Sequence, residues 1–152
     1  MEDYLEAIAL LRGEGGVVRV KQISQALGVK KPSVTSALKK LSEEGLVEHE
    51  RYGHVRLTAE GDEVAQDVIR RHETLRRFLT EILSIEPQIA GEDACKIEHA
   101  ISATTLERLA NFLEFVLNCP RGKPEWLKGF NYYLEHGERP EEHLARCQRQ
   151  DP

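Results

Sequence analysis

The stretch "CKIEH", residues 95–99, places a thiol, a carboxylate and an imidazole within five positions of one another. Glu98 and His99 follow Cys95 by three and four residues, so a helix would bring all three side chains to one face. These side-chain types are ligands of divalent transition metals. The spacing therefore indicates a candidate metal site, whose further ligands must come from other segments.

Two other segments offer ligand types at helical spacing. His72 interrupts an otherwise apolar stripe of a predicted long helix, and Asp3 and Glu6 lie three residues apart in the first predicted helix. Carboxylates with imidazole favour Mn(II) or Fe(II), whereas a thiolate favours softer ions such as Fe(II), Co(II) or Zn(II). Each residue alone also fits an ordinary role: a hydrogen-bonded core histidine, a small buried cysteine or a plain surface charge. Spacing alone leaves both interpretations open.

The elements before residue 60 predict a winged helix. "VKQISQALGV" has the pattern of a short helix ending at Gly28, and a second helix begins near Pro32 and stops at Gly45. Two short helices joined by a tight turn are typical of a helix-turn-helix. Residues 46–58 then alternate in part around Gly53, which predicts a two-stranded hairpin.

The second of these helices carries small polar and basic side chains, as a DNA-recognition helix must. Residues 1–57 contain nine Lys and Arg against eight Asp and Glu, whereas residues 58–152 contain twelve against eighteen, so any basic face belongs to the first part. A solvated face on a protein-interaction module is the ordinary alternative. The DNA-binding candidates are Lys31, Ser33, Thr35, Ser36, Lys39 and Lys40 on the helix, with Arg51, Tyr52, His54 and Arg56 on the hairpin.

The remainder of the chain predicts helices. Thr58 is a candidate N-cap for a long helix over 59–83, and another helix runs from Pro87 to about residue 101. "TTLE" at 104–107 resembles a capping box and opens a helix whose apolar surface exceeds one buried face, which suggests a dimer interface. A short helix within 125–134 and a charged, fraying helix at the end follow. We therefore expect a mainly α protein, with a winged-helix domain over 1–60 and a helical dimerisation and metal-binding domain over 61–152.

Composition narrows the class of protein. The chain has 152 residues, 40% of them hydrophobic, a net charge of -5 and three cysteines. That hydrophobic content suits a packed core, and no apolar run approaches the roughly 18 residues of a membrane span. Three widely spaced cysteines argue against a disulfide framework. The acidic start is unlike a secretory signal, so a cytoplasmic protein without a membrane partner is expected.

Several segments together resemble the family of the diphtheria toxin repressor and the manganese transport regulator. The resemblance covers roughly residues 1–118 and rests on "EDYLEAI", "QISQALGVKKPSVTSALKKLSEEGLV", "LTAEG", "RRHETLRRFL" and "EDACKIEH". It implies a homodimer that binds double-stranded DNA at a palindromic operator, senses Mn(II) or Fe(II) and represses metal-uptake genes. Carried over by position, the metal-site candidates are Asp3, Glu6, His72, Cys95, Glu98 and His99.

The chain departs from both types within that family. Asp3 resembles the manganese type, whereas Cys95 resembles the iron type. The manganese type has a glutamate at the position of Cys95. One thiolate bridges two ions less readily than a carboxylate does, which puts a two-metal centre in doubt. An ancillary site of the iron type would need ligands where this chain has Arg76 and Gly91.

The predicted function is thus a metal-dependent DNA-binding repressor, with no enzymatic activity and no small organic substrate. One alternative is a winged-helix regulator that reads redox state through Cys95, Cys119 and Cys147. It predicts that oxidation changes DNA binding and that chelation does not. A metal-dependent hydrolase is a second alternative, because carboxylates and imidazole around a divalent ion can activate water. A structural zinc site is a third, and it predicts unfolding when metal is removed.

Overall fold

The computed structural model describes residues 1–13, 17–50, 53–120 and 124–140. The chain divides into two compact units, Met1–Arg70 and Arg71–Pro152, and the division falls within one helix. The elements in chain order are α1 (Glu2–Leu11), β1 (Val18–Arg19), α2 (Val20–Ala26), α3 (Lys31–Glu43), β2 (Val47–His49), β3 (His54–Leu57), α4 (Ala59–Arg77), a π-helical segment (Phe78–Ile82), α5 (Pro87–Ile97), α6 (Ala103–Leu117) and α7 (Glu125–His136).

The first unit is a winged helix, as predicted. Its three strands form an antiparallel sheet in the order β1-β3-β2, with Val18 opposite Val55 and Val47 opposite Leu57. The helices and the sheet share one core, which is built from Leu5, Ile8, Ala9, Val18, Ile23, Val34, Leu38, Leu41, Val47, Val55 and Ala65. Strand β1 was not predicted, because two residues are too few to show an alternating pattern.

The helix-turn-helix consists of α2 and α3. Gly28 provides the turn between them with a φ of +64°, a conformation that costs glycine little. Pro32 lies in the first turn of α3, where a missing backbone N–H leaves no helical hydrogen bond unmade. The buried face of α3 consists of Val34, Ala37, Leu38 and Leu41. Burial of this face turns the polar residues of α3 towards solvent.

The start of α4 lies directly against the segment that follows α3. Thr58 is the predicted N-cap, and its hydroxyl accepts a hydrogen bond from the Gly61 N–H at 3.0 Å. The same hydroxyl donates to the Gly45 carbonyl at 2.8 Å, and the Thr58 N–H donates to the Leu46 carbonyl at 3.1 Å. A Cβ at Gly61 would overlap that carbonyl oxygen of Leu46. Only glycine therefore permits this approach of backbone to backbone.

Two small cores lie in the described part of the second unit. One consists of Leu75, Leu79, Ala90 and Ala94, and the other of Ile82, Leu113, Val116 and Leu127. The long helix predicted over 59–83 consists of α4 followed by the π-helical segment. The 3.6-residue periodicity of the apolar positions does not distinguish this segment from an α-helix. The backbone turns out of this helix at Ser84, where φ is 55°. The Ile85 N–H donates to the Leu79 carbonyl at 2.9 Å.

Two sequence predictions for the second unit were wrong. Helix α5 ends at Ile97 rather than near residue 101, because residues 98–100 form a turn. The capping box at 104–107 is absent, and α6 begins one residue before it. Ser102 is the N-cap, since its hydroxyl accepts from the Thr105 N–H at 3.2 Å. The helix predicted at the end of the chain lies outside the described residues.

The close approach at Gly61 predicts unequal effects for two helical glycines. Gly61→Ala should lower the free energy of unfolding by at least about 2 kcal/mol, because a methyl group must displace the Leu46 backbone. Gly91→Ala, within α5, meets no atom within 4 Å and should raise it by about 0.5–1 kcal/mol through helix propensity. Urea unfolding of both variants measures the difference. Equal effects would show that α4 does not pack tightly on Leu46.

Candidate metal centre and DNA interface

The end of α5 positions the carboxylate and imidazole of "CKIEH". Glu98 is the C-cap of α5 with helical backbone angles, and its N–H donates to the Ala94 carbonyl at 2.9 Å. Its side chain is buried, with the residue only 1% exposed, whereas His99 in the following turn is exposed. The Glu98 Oε1 atom lies 3.4 Å from Nε2 of His99. Glu98 thus turns inward and His99 borders it.

His72 on α4 completes this arrangement. Its Nδ1 lies 2.8 Å from Oε2 of Glu98. An ionised carboxylate only accepts hydrogen bonds, so in this contact a hydrogen on Nδ1 of His72 would be donated to Glu98. His72, Glu98 and His99 therefore form one cluster, a carboxylate between two imidazoles.

Electrostatics favour a cation at this cluster. A buried carboxylate is costly unless positive charge or hydrogen bonds compensate it. Glu98 also lies at the C-terminal end of α5, where the helix dipole is negative and attracts cations. Nitrogen and oxygen donors at one point suit Mn(II), Fe(II) and related divalent ions. The donor set and its burial thus fit a divalent metal.

The other metal candidates have different environments. Cys95 lies on α5 one turn before Glu98 and is exposed. Asp3 and Glu6 belong to the first unit, on successive turns of α1, and they are exposed and half-buried respectively. The structure therefore places three of the six candidates in one cluster within the second unit.

Sequence reasoning did not identify an ion pair beside His72. The Arg76 guanidinium donates two hydrogen bonds to the Glu73 carboxylate, each at 2.9 Å. These bonds lower the pKa of Glu73 below its ordinary value, and Glu73 in turn raises the pKa of Arg76. The three-residue spacing was the available signal. The pairing keeps Glu73 ionised and occupied by Arg76.

The polar side of α3 is exposed to solvent. All six candidates on this helix are exposed, and they lie opposite its buried face: Lys31, Ser33, Thr35, Ser36, Lys39 and Lys40. The Thr35 hydroxyl donates to the Lys31 carbonyl at 3.1 Å, which fixes its side chain on the helix. On the wing, Arg56 is exposed and His54 is half-buried. The candidates Arg51 and Tyr52 lie outside the described residues.

The protein combines two features: a winged helix with an exposed polar recognition helix, and a helical unit with a carboxylate–imidazole cluster. Together they are typical of one class of protein, the metal-responsive DNA-binding regulators. Comparisons with known proteins agree. Residues 1–55 match the N-terminal DNA-binding domain of iron-dependent repressors. Residues 58–127 match the metal-binding and dimerisation domain of iron-dependent repressors.

Individual relatives point in the same direction. The chain is 39% identical over 115 residues to an uncharacterised HTH-type transcriptional regulator of Methanocaldococcus jannaschii, covering 75% of this chain and 92% of that one. It is 33% identical over 136 residues to the HTH-type transcriptional regulator MntR of Bacillus subtilis, covering 90% and 94%. The solved structure of the manganese regulator SloR superposes with a TM-score of 0.67 at 32% identity, covering 75% of this chain and 53% of that one. The chain thus spans about half the length of SloR.

The chain belongs to the iron-dependent repressor family, which confirms the resemblance read from its sequence. It is a metal-dependent, DNA-binding transcriptional regulator of mainly α fold, with a dimerisation domain. The family consists of regulators rather than enzymes, so the hydrolase alternative finds no support, and neither does the redox alternative. Within the described ranges, none of the helices combines the length and apolarity that crossing a bilayer requires.

The buried carboxylate predicts a sharp loss of metal affinity on neutralisation. Glu98→Gln keeps the size of the side chain but removes an anionic donor, so Mn(II) affinity should fall by more than the 10–100-fold that is typical of outer-shell changes. Glu92→Gln, on an exposed position of the same helix, is the control and should leave the affinity unchanged. Anaerobic calorimetric titration with Mn(II) measures both. If Glu98→Gln bound Mn(II) as tightly as Glu92→Gln does, Glu98 would be excluded as a ligand.

The recognition helix predicts a change in salt dependence. Lys39→Ala should reduce the slope of log affinity against log salt by about 0.9 for each phosphate that the protein no longer neutralises. Lys128→Ala on α7 is matched to it, because each lysine is exposed and has a nearby glutamate partner, at 3.8 Å for Lys39 and 3.4 Å for Lys128. DNA titrations by fluorescence anisotropy at several salt concentrations give the slopes. An unchanged slope for Lys39→Ala would remove that lysine from the DNA interface.

Proposed function

We propose that this regulator senses Mn(II) or Fe(II) through Asp3, Glu6, His72, Cys95, Glu98 and His99, and represses genes for metal uptake. The buried carboxylate of Glu98 between two imidazoles is the observation that carries the proposal. Three donors leave positions of a divalent ion to be filled, since such ions take four to six ligands. Cys95, one turn earlier on α5, and the acidic pair on α1 have the chemistry to fill them.

The proposed mechanism depends on α1. Asp3 and Glu6 lie in the first two turns of α1, where the Tyr4 N–H donates to the Met1 carbonyl at 3.1 Å. A bound divalent ion supplies positive charge that holds carboxylates from separate helices together. Capture of Asp3 or Glu6 would then restrict α1, whose buried residues Leu5 and Ile8 belong to the winged-helix core. Metal would thereby favour one arrangement of the DNA-binding unit over others.

A second copy of the chain is proposed to complete the DNA-binding form. Phe112 and Phe115 are 39% and 82% exposed on α6, and Trp126 is 42% exposed on α7. These three side chains line one cavity of about 590 Å³ in the second unit. Apolar surface of this kind marks an interaction site, and the matched domain model is one of dimerisation. Two winged helices in a dimer would read the two halves of a palindromic operator.

The DNA surface is proposed to consist of α3 and the wing. Lysines would neutralise phosphates, while the small polar residues would contact base edges or the backbone. The proposed residues are Lys31, Ser33, Thr35, Ser36, Lys39, Lys40, Arg51, Tyr52 and Arg56. We further propose a cytoplasmic regulator with a domain boundary near residue 60. The division into compact units falls later, between Arg70 and Arg71.

The decisive experiment is a metal titration of DNA affinity. Duplexes that bind in the presence of Mn(II) are selected from a random-sequence pool, and one is titrated anaerobically with Mn(II), Fe(II), Co(II), Zn(II) or chelator. Mn(II) or Fe(II) should tighten binding by about 5- to 150-fold, the usual range of allosteric coupling. Equal affinity with metal and with chelator would refute the proposal.

Two controls separate the remaining alternatives. Cys95→Ser removes the soft thiolate and should weaken the response to Zn(II) and Co(II) more than the response to Mn(II). If the same substitution abolished every metal response, the carboxylate-centred site would be wrong. Chelation should leave the far-ultraviolet circular dichroism spectrum unchanged, whereas unfolding would indicate a structural zinc site.

A further inference from the structure

The segment "LTAEG", residues 57–61, makes contacts that involve none of the candidate metal ligands or DNA-binding residues. Thr58 bonds in two directions: its hydroxyl accepts from Gly61 within α4 and donates to Gly45 outside it. Its N–H also donates to Leu46 at 3.1 Å. The absent side chain of Gly61 lets α4 rest on the same Leu46 carbonyl. We refer to these four residues, Gly45, Leu46, Thr58 and Gly61, as the α3–α4 clamp.

The clamp reaches the recognition helix through its other end. Helix α3 ends at Glu43, and the Leu46 N–H donates back to the Leu41 carbonyl at 2.8 Å. Leu41 is fully buried, so this bond ties the segment after α3 to the core of the first unit. Hydrogen bonds thus join the first turn of α4, through Gly45 and Leu46, to the end of α3.

The same turn of α4 is also tied to α1. Asp62 pairs with Arg12 just after the end of α1, at 2.7 Å between Oδ1 and Nη1. Both side chains are about one-third exposed, so solvent weakens the pair, but its geometry is close. The first turn of α4 thus contacts the chain beside α1, which carries Asp3 and Glu6, and the chain beside α3, which carries the DNA candidates.

We propose that Thr58 is a positioning residue that couples metal binding to the recognition helix, and that its bond to the Gly45 carbonyl is the coupling contact. The inference rests on the proposed function, in which α1 and His72 of α4 respond to metal. Helix α4 is continuous from the clamp through His72. A stiff helix with a hydrogen bond on each side of its N-cap transmits a shift that a flexible joint would absorb.

Three substitutions at one position test this. Thr58→Ser keeps both hydroxyl bonds. Thr58→Asp keeps a good N-cap for Gly61, but an ionised carboxylate cannot donate to the Gly45 carbonyl. Thr58→Val loses both bonds. Thr80→Val is the control, because the Thr80 hydroxyl donates to the Arg76 carbonyl four residues earlier, at 2.9 Å.

The readout is the ratio of DNA affinities with Mn(II) and with chelator, on the Mn(II)-selected duplex. That ratio should fall roughly two- to tenfold in Thr58→Asp and Thr58→Val, the range expected for one hydrogen bond, and stay unchanged in Thr58→Ser and Thr80→Val. By linkage, the gain in Mn(II) affinity on adding DNA should fall by the same factor. A purely structural role would lower the midpoint of urea unfolding without changing either ratio.

The outcomes are distinguishable. If the wild type responds to Mn(II) and Thr58→Asp responds equally, the coupling role of Thr58 is refuted and the proposed function stands. A loss of response in Thr58→Ser as large as that in Thr58→Asp would also refute it, because the hydroxyl would not be the cause. If the wild type itself shows no response, the proposed function fails first. Thr58→Asp retains the cap, so the test survives even if Thr58→Val does not fold.

Discussion

A carboxylate buried at the negative end of a helix is the constraint on which the second unit depends. Glu98 is almost wholly excluded from water, and the dipole of α5 opposes its charge. Two imidazoles lie beside it: Nδ1 of His72 on α4 is 2.8 Å from Oε2, and Nε2 of the adjacent His99 is 3.4 Å from Oε1. The small core that contains Leu75 and Ala94 holds α4 and α5 together, so packing of apolar residues sets the spacing of the polar ones.

Much of the fold could be predicted from the sequence because its signals are local. The apolar face of α3, the turn at Gly28 and the hairpin are each visible within a few residues. Strand β1 is defined by its pairing with β3, and the pattern of two residues is too short to predict that pairing. The N-cap of α6 is Ser102 rather than Thr104, the first residue of the predicted capping box, although both side chains carry a hydroxyl. Ser102 has the extended backbone of an N-cap, whereas Thr104 lies inside the helix.

The candidate site shows a similar division. Helical spacing groups Cys95, Glu98 and His99, but spacing cannot tell which of them is buried, and the structure makes Glu98 the inward one. The pairing of His72 with Glu98 spans 26 residues and needs tertiary structure to be seen. Resemblance to a known family related these distant positions where local physics could not. In the proposed site, Cys95 would decide between Mn(II) or Fe(II) and softer ions, because its thiol differs in softness from the nearby carboxylates.

The close approach at Gly61 also governs how this protein could be recombined with its relatives. A chimera joined at the end of β3 would take Leu46 from one parent and Thr58 with Gly61 from the other, so two backbones selected separately would have to meet without a Cβ between them. A crossover placed after Asp62 transfers that approach intact, together with the partner of Arg12. The natural seam for exchanging DNA-binding modules therefore lies inside α4, one turn beyond the point where the wing ends.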